Sequence, residues 1–294
     1  MKKPADKIKR VGLIGNSDKA SFRTVVRRAA RLVTRSGRTV MSDAHTGQLA
    51  GLDCRTFPGI AALAEAVDLL LVFGGDGTLL RVARDTAGSP TPILGINIGG
   101  LGFLTAVPSA ELARALTHVW RGEFSFQQRA LISAAVRIGD RQLRLNALND
   151  CVITRGGIPR LIELEVSVNR QPLTRYRCDG LIISSPTGST AYSLAAGGAI
   201  VAPDAEVFAL TPICPHTLSN RSIIVRLDSV VQVRVISPRP ATILSVDGQF
   251  IGELDQGGII TIRRSPRTDR MMLLAGASFY QTLRQKLHWR GAHV

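Results

Sequence analysis

A single carboxylate, Asp76, stands among three glycines where a long apolar run ends. The stretch LLLVFGGDGTLL covers residues 69–80. If the apolar run is a strand of a parallel sheet, Asp76 lies at its carboxyl end, where such sheets bind ligands. Gly74, Gly75 and Gly77 can adopt positive φ and place no Cβ in the way of a phosphate, and the N-terminus of a following helix favours an anion. The stretch therefore indicates a phosphate-binding loop with Asp76 as its one chemical group.

A hairpin turn is the competing interpretation of this stretch, because Asp-Gly is the strongest short hairpin signal. A helical pattern follows at Thr78–Ala87, however, where a hairpin requires a return strand. The stretch matches neither the G-x-x-x-x-G-K-[ST] loop nor the G-x-G-x-x-G dinucleotide pattern. A phosphate loop of another kind is the favoured hypothesis.

A second glycine cluster, NIGGLGFL at residues 97–104, follows another apolar run. Alone, Gly99 and Gly100 suit an ordinary loop between a strand and a helix. On the same sheet edge as the first loop, they predict the second wall of one anion pocket. Thr78, Gly99 and Gly100 are therefore candidate phosphate contacts.

Two short polar segments could be either sites or turns. Asn149-Asp150 offers amide donors, an amide acceptor and a carboxylate, which suit a ribose diol or a base edge. An Asx-type turn is the simpler explanation of that segment taken alone. The segment LSVDGQ, residues 244–249, lies between strand patterns, so a hairpin turn competes there as well.

A hydroxyl-rich stretch, CDGLIISSPTGSTAYSLAAGG at residues 178–198, is the most informative motif. A strand pattern ends in serines and threonines, and Ser189-Thr190 open a helical pattern. Hydroxyls and helix N–H groups can hold a phosphate or a ribose, and Tyr192 can stack on a flat ring. A serine nucleophile is disfavoured, because the stretch is not G-x-S-x-G and none of the five histidines shows a triad pattern.

The type of predicted secondary structure changes near residue 123. Before it, strand and helix patterns alternate, and apolar residues at i, i+3, i+4 and i+7 predict a helix over Ser21–Arg35. This alternation predicts a parallel sheet with helices on both faces. After residue 123, short alternating strands separated by turns predict an antiparallel, sandwich-like β domain. A helical pattern returns at Phe279–Trp289.

The net charge of +15 and the pI of about 10.9 favour anionic partners without choosing among them. A nucleic-acid binder is disfavoured, since basic residues are scattered, aromatic residues make up only 5%, and no nucleic-acid motif is present. The longest apolar runs are too short for a membrane span or a signal peptide, so neither a membrane partner nor export is expected. The four widely spaced cysteines suit free thiols in a reducing compartment, and a cytoplasmic protein is expected.

Taken together, these motifs resemble the NAD kinase family, and most closely its Gram-negative bacterial branch. GGDGT at 74–78 is shared with diacylglycerol, sphingosine and phosphofructo-kinases. The 97–100 cluster, Asn149-Asp150, CDG at 178–180, PTGSTAYSLAAGG from Pro186 and the 245–249 segment add the specificity. The resemblance covers essentially the whole chain. It implies a Rossmann-like α/β domain at 1–123, a β-rich NAD-binding domain at 124–267, and a closing helix within 268–294 that packs back on the first domain.

The resemblance also implies the reaction and its central residues. Members transfer the γ-phosphoryl group of ATP, or in some cases of polyphosphate, to the 2′-hydroxyl of the adenosine ribose of NAD, giving NADP. Asp76 matches the proton acceptor and Gly77 lies against the substrate. Asn149 and Asp150 match the pair that contacts the dinucleotide, although many relatives have Asn-Glu there.

Further substrate contacts follow from the same resemblance. Residues 190–193 match the adenosine-binding loop, which consists of Thr190, Ala191, Tyr192 and Ser193 with Leu194 and Ala195 alongside. Asp179, Arg160 and Gln249 match other substrate contacts. Arg177 stands where members that select NAD over NADH carry a polar or basic residue.

The expected cofactor is a divalent metal, normally Mg²⁺ arriving with ATP, and no side chain is assigned as its ligand. Family members are usually homodimers or homotetramers. No Walker lysine is present, so glycine N–H groups, the metal and surplus arginines are the hypothesised charge partners of the triphosphate. Arg81 and Arg84 are candidates, but a solvated helix face is the favoured interpretation of both. A lipid kinase that shares GGDGT is the alternative, and Tyr192 with the Asn149-Asp150 pair favours a dinucleotide over it.

Overall fold

The computed structural model describes residues 4–15, 21–105, 107–157, 160–217, 219–237 and 241–289. The chain forms two compact units: unit 1 is Met1–Gln128 with Asp269–Val294, and unit 2 is Arg129–Thr268. The domain limits inferred from the sequence, 1–123 with 268–294 and 124–267, remain predictions, and their outer ends at 1–3 and 290–294 lie outside the described residues.

The described elements alternate in type at first and are then almost all strands. The helices are α1 (Ser21–Arg35), α2 (Ala44–Ala50), α3 (Ile60–Ala66), α4 (Asp76–Asp85), α5 (Leu112–Arg121), α6 (Tyr192–Ala195) and α7 (Phe279–Lys286), with 3-10 turns at Pro4–Lys7, Ser109–Glu111 and Thr187–Thr190. The strands are β1 (Arg10–Gly15), β2 (Thr39–Asp43), β3 (Arg55–Phe57), β4 (Leu69–Gly74), β5 (Ile93–Asn97), β6 (Val107–Pro108), β7 (Phe124–Ile138), β8 (Arg141–Ala147), β9 (Asp150–Arg155), β10 (Ile162–Val168), β11 (Gln171–Cys178), β12 (Gly180–Ser184), β13 (Val207–Ile213), β14 (Ile223–Arg226), β15 (Val231–Val235), β16 (Thr242–Val246), β17 (Gln249–Leu254) and β18 (Ile259–Leu274).

Unit 1 is built on a parallel sheet in the order β3-β2-β1-β4-β5, with β6 and the end of β18 both beside β5. All of β4 is buried, which is typical of a parallel strand covered on both faces. Apolar residues of α1 and α5 share one core with alternate strand residues. On the opposite face, Leu63 of α3 lies beside Gly12 and Leu79 of α4 lies beside Gly95. The sheet edge after β4 and β5 therefore carries both glycine-rich loops.

Unit 2 contains two antiparallel sheets. One runs β11-β10-β15-β18, with β7 paired to β18 and to β8, and the other runs β14-β13-β12-β9-β16-β17. Inward side chains of both sheets, such as Leu164 of β10 and Ile183 of β12, belong to one apolar core. This is a β-sandwich.

The predicted fold class is confirmed: an α/β unit with a parallel sheet, an antiparallel sandwich and a final helix. The helix expected over Ser21–Arg35 has those bounds, and all four cysteines are free thiols. Two of the strands after residue 123 are longer than the short strands expected there: β7 has 15 residues and β18 has 16 residues. The last helix ends at Lys286, before the end of the helical pattern at Phe279–Trp289. Within the described residues, no helix is long and apolar enough to cross a bilayer.

Candidate active site

Asp76 is the first residue of α4, and its carboxylate holds the loop that follows β5. Oδ1 accepts the N–H groups of Leu104 and Thr105, each at 3.1 Å, and the Thr105 hydroxyl at 3.0 Å. Oδ2 accepts the N–H of Phe103 at 2.8 Å. Because a carboxylate oxygen has two lone pairs, Oδ2 can accept one further hydrogen bond. Asp76 thus joins the two glycine-rich loops and keeps one acceptor position open.

The backbone around Asp76 excludes the hairpin interpretation. β4 lies between β1 and β5 with parallel pairing on both sides, and α4 follows it directly. The N–H groups of Thr78 and Leu79 both donate to the carbonyl of Gly75. Since the first N–H groups of a helix have no intrahelical acceptor, those of Asp76 and Gly77 are left for an anion.

The positive φ that Gly74, Gly75 and Gly77 could adopt is not used, since none of the three has one. Their surroundings differ: a Cβ at Gly74 would overlap the Thr78 side chain, whereas Gly75 and Gly77 face open space. A bare backbone next to Asp76, rather than a left-handed conformation, is what these residues provide.

The second loop is held by its own asparagine. The Gly99 N–H donates to Asn97 Oδ1 at 2.6 Å, and Asn97 Nδ2 donates to the Gly100 carbonyl at 2.6 Å and to Thr105 Oγ1 at 3.0 Å. The Gly99 amide is therefore already used within the loop. Gly102, which sequence reasoning passed over, is the position where the loop needs glycine, because a Cβ there would overlap Asp76 Oδ1.

Arg81 does not belong to a solvated helix face, and that interpretation was wrong for it. Its Nε and Nη2 atoms are buried and make no hydrogen bond within the part of the chain that the structure describes. Arg84 differs, since its Nε lies 3.7 Å from Asp85 Oδ1. Arg81 as a whole is half-buried, so these two nitrogens could be satisfied by an anion that binds beside α4.

In unit 2, the hydroxyl-rich loop presses against the backbone of residues 148–149. The Ser185 N–H donates to the Asn149 carbonyl at 2.8 Å, and the Ser185 hydroxyl donates to the Leu148 carbonyl at 2.5 Å. At Gly188 an added Cβ would overlap the Asn149 carbonyl and lie 2.7 Å from the Asn149 Cα. Only glycine permits this approach.

The opposite side of the same segment is held by Asp247. Its Oδ2 accepts the N–H of Leu148 at 2.8 Å, and its Oδ1 accepts the N–H groups of Asn149 at 2.7 Å and Asp150 at 3.1 Å. Asp247 and Gly248, with φ of 47° and 74°, form the turn between β16 and β17, so the segment 244–249 is indeed a hairpin. Sequence reasoning saw the turn but missed the carboxylate, whose partners lie about a hundred residues away.

The side chains of Asn149 and Asp150 have no such partners. They are only 9% and 5% exposed, yet neither makes a side-chain hydrogen bond to any described residue. Burial, and then the nearby charge of Asp247, raise the pKa of Asp150 to about 7. No polar atom of either side chain is at once shielded from solvent and unpaired, so these atoms reach solvent and stay open to a ligand.

The segment 190–195 combines an exposed ring with a buried anchor. Tyr192 is 46% exposed, whereas the side chain of Ser193 is fully buried and hydrogen-bonded to Thr211 at 2.9 Å. Thr190 donates its hydroxyl to the Thr187 carbonyl at 3.2 Å. Ala191 and Leu194 are half-buried, and Ala195 is exposed. Ser193 thus fixes the turn that presents Tyr192.

The remaining candidate contacts of unit 2 lie at strand ends. Asp179, between β11 and β12, accepts a hydrogen bond from Arg155 Nε at 2.6 Å, and both side chains are 30% exposed. Arg177 is exposed on β11, Gln249 is exposed at the start of β17, and Arg160 is exposed before β10. The structure brings Asn149, Asp150 and the hydroxyl-rich loop into direct contact. Within the described residues, no side-chain hydrogen bond or ion pair joins Arg160 or Gln249 to them.

Metal-binding side chains are sparse. The described residues contain no group of three or more histidine, cysteine, aspartate or glutamate side chains that could hold a metal ion. A fully protein-built cage is therefore not seen in them.

Comparison with known proteins accounts for both units. Residues 11–124 match the model of the ATP-NAD kinase N-terminal domain, and residues 148–274 match that of the ATP-NAD kinase C-terminal domain. An NAD kinase of Moorella thermoacetica is 40% identical over 286 residues, which cover 97% of this chain and 91% of that protein.

Solved structures show the same fold. Yeast NADH kinase complexed with NADH has a TM-score of 0.89 at 24% identity, covering 98% of this chain and 90% of that one. An NAD kinase from Archaeoglobus fulgidus in complex with ATP has a TM-score of 0.74 at 25% identity, covering 96% of this chain and all of that one (100%).

Proposed function

The chain belongs to the NAD kinase family, and from that premise we propose how its own residues carry out the reaction. It is an ATP-dependent kinase that transfers the γ-phosphoryl group to the 2′-hydroxyl of the adenosine ribose of NAD. Such a transfer depends on alignment and on charge neutralisation more than on covalent chemistry by the protein. The proposals below therefore concern which groups align the substrate and which balance its charge.

The side chains of Asn149 and Asp150 carry the assignment of the dinucleotide site, because their polar atoms are open to a ligand. Both side chains are more than nine-tenths buried and have no protein partner among the described residues. The amide can both donate and accept, and a carboxyl with a pKa of about 7 can do so when protonated. A ribose diol or a nucleotide base edge offers the matching donors and acceptors.

The adenosine loop supplies shape rather than charge. The exposed ring of Tyr192 suits stacking on a flat base, while Ser193 acts as a positioning residue from its buried site. Thr190, Ala191, Leu194 and Ala195 complete the loop in this proposal. Asp179, oriented by its ion pair with Arg155, is the further substrate contact that the geometry supports best, with Arg160, Arg177 and Gln249 as additional candidates.

Asp76 is the proposed proton acceptor. A ribose hydroxyl is a weak nucleophile, and a carboxylate that accepts its hydrogen bond assists the attack. Oδ2 has the free lone pair for that bond, whereas Oδ1 is occupied by the loop at 104–105. The four bonds that Asp76 already accepts hold the carboxylate in one orientation.

The triphosphate would be held by backbone and by Arg81. The N–H groups of Asp76 and Gly77 are available at the start of α4, and Gly75 and Gly77 leave room for a close approach. Arg81 supplies a guanidinium whose buried nitrogens have no acceptor among the described residues. Mg²⁺ bound to the phosphate oxygens would neutralise the charge that develops during the transfer.

Incubation with NAD and Mg-ATP, followed by detection of NADP with an NADP-specific dehydrogenase, tests the function. We expect NADP to form, and we expect Asp76→Asn to lower kcat by about two orders of magnitude or more with little change in the KM for NAD. Asp85→Asn, on the exposed end of the same helix, is the control. A near-normal kcat for Asp76→Asn would remove the proton-acceptor role.

The same preparation tests the rest of the proposal. Phosphorylation of diacylglycerol without NADP formation would identify a lipid kinase instead. Replacement of ATP by polyphosphate, and of Mg²⁺ by other divalent ions, defines the donor and the metal. Light scattering tests a homodimer or homotetramer, the states usual in the family.

A further inference from the structure

The carboxylate of Asp247 does more than the hairpin requires. A two-residue turn with positive φ at both positions is satisfied by Asn-Gly or Asp-Gly alike, because the turn depends on the backbone. Here, however, both carboxylate oxygens accept hydrogen bonds from a segment that is distant in the chain, through the three consecutive N–H groups of residues 148–150. The Asp247 N–H in turn donates to the Asp150 carbonyl at 3.0 Å. The charge at the turn therefore serves residues 148–150.

We propose that Asp247 is the positioning residue of the dinucleotide site, which orients Asn149 and Asp150 through their backbone. This inference rests on the proposed function of that pair. Three successive amides aimed at one carboxylate fix the peptide planes before Leu148, before Asn149 and before Asp150. The bond from the Asp247 N–H to the Asp150 carbonyl fixes the plane after Asp150, so the directions of both Cα–Cβ bonds are set. No side-chain atom of either residue is consumed in doing so.

The bonds from Asp247 explain why the side chains of Asn149 and Asp150 stay without a protein partner. A segment free to move could turn these polar groups towards protein acceptors and donors, which would remove them from a ligand. Asp247 on one side, and the close contacts of Ser185 and Gly188 on the other, prevent that movement. The polar groups are thereby kept for a ligand.

Asp247→Asn and Asp247→Ala test the proposal in steps. Asparagine tolerates the left-handed backbone but cannot accept all three N–H groups, and alanine accepts none. We expect the KM for NAD to rise about tenfold in Asp247→Asn and further in Asp247→Ala, with the KM for ATP unchanged. Hydrogen exchange should become faster at the amides of residues 148–150 in the same order.

Asn169→Ala is the matched control. Asn169 also has a positive φ, 52°, at a hairpin turn, and its side chain accepts a distant N–H, that of Val230, at 2.8 Å. It therefore reproduces the loss of a side-chain acceptor at a strained turn without touching residues 148–150. We expect it to lower stability while leaving both KM values unchanged, and cooperative unfolding checks that all three variants fold.

The possible outcomes distinguish a failure of the positioning role of Asp247 from a failure of the proposed function. If the wild-type protein makes NADP but the KM for NAD is unchanged in both Asp247 variants, or rises equally with the KM for ATP, the positioning role is refuted and the function stands. If the wild-type protein makes no NADP, both are refuted. A selective, graded rise in the KM for NAD, absent from Asn169→Ala, supports the inference.

Discussion

Asp150→Asn should remove a large pH dependence of stability. The pKa of Asp150 rises from 3.8 in the unfolded chain to about 7 in the folded one, because of burial first and the charge of Asp247 second. Between these two values the folded state binds a proton that the unfolded state has lost. The free energy of unfolding therefore falls as the pH rises from 3.8 to 7, and changes no further above 7. Asparagine is neutral throughout and lacks this loss.

The size of the effect follows from the shift. A pKa change of about three units corresponds to about 4 kcal/mol at 1.36 kcal/mol per unit, reached only above pH 7. Integrated between pH 5 and pH 8, the wild-type protein should lose about 2–3 kcal/mol relative to Asp150→Asn. The variant should thus be more stable than the wild-type protein by about 1.5 kcal/mol at pH 5 and by about 4 kcal/mol at pH 8.

Urea unfolding at pH 5 and at pH 8 measures the difference. Asp140→Asn is the control, because the Asp140 side chain is fully exposed (106%) at the turn after β7. It should shift the unfolding midpoint equally, and slightly, at both pH values. If Asp150→Asn changed the free energy of unfolding by the same amount at pH 5 and pH 8, or destabilised the protein more at pH 8, the raised pKa of Asp150 would be disproved.

Two further substitutions have defined outcomes. Gly188→Ala should destabilise the protein by about 2 kcal/mol or more and raise the KM for NAD, because its Cβ meets the backbone of the adjacent segment. Gly157→Ala, with open space beside it, should be neutral, and equal unfolding midpoints for the two variants would contradict the close approach. Arg81→Met should raise the KM for ATP about tenfold without loss of stability, because two desolvated guanidinium nitrogens are removed. Arg84→Met should change the KM for ATP little, and an unchanged KM for ATP in Arg81→Met would exclude the phosphate contact.

Local pattern was sufficient for most of the elements and for the loop that carries Asp76. The order of strand, glycine-rich loop and helix around Asp76 followed from an apolar run, three glycines and a helical pattern, all close together in the chain. The helical pattern after the loop decided against the hairpin, which requires a second strand there. Positive φ at these glycines was wrong, since the need for glycine at Gly74 depends on where Thr78 packs.

Contacts between distant segments were beyond such reasoning. Nothing near Asp247 in the chain indicates that its carboxylate meets the amides of residues 148–150, because the meeting depends on how β9 and β16 pair. The glycine requirement at Gly188 likewise exists only against the Asn149 backbone. Residue types identified the groups, and the sheet register decided which of them became neighbours.

The carboxylates of Asp76 and Asp247 each accept hydrogen bonds from three successive peptide N–H groups, those of residues 103–105 and of residues 148–150. In both cases the conformational entropy of a recognition loop is lost during folding, before any substrate arrives. Ordering such a loop on association would otherwise weaken affinity by about 0.5–1.5 kcal/mol for each immobilised side chain. Calorimetry of NAD binding should accordingly show a small entropic penalty, as expected for loops that are already rigid.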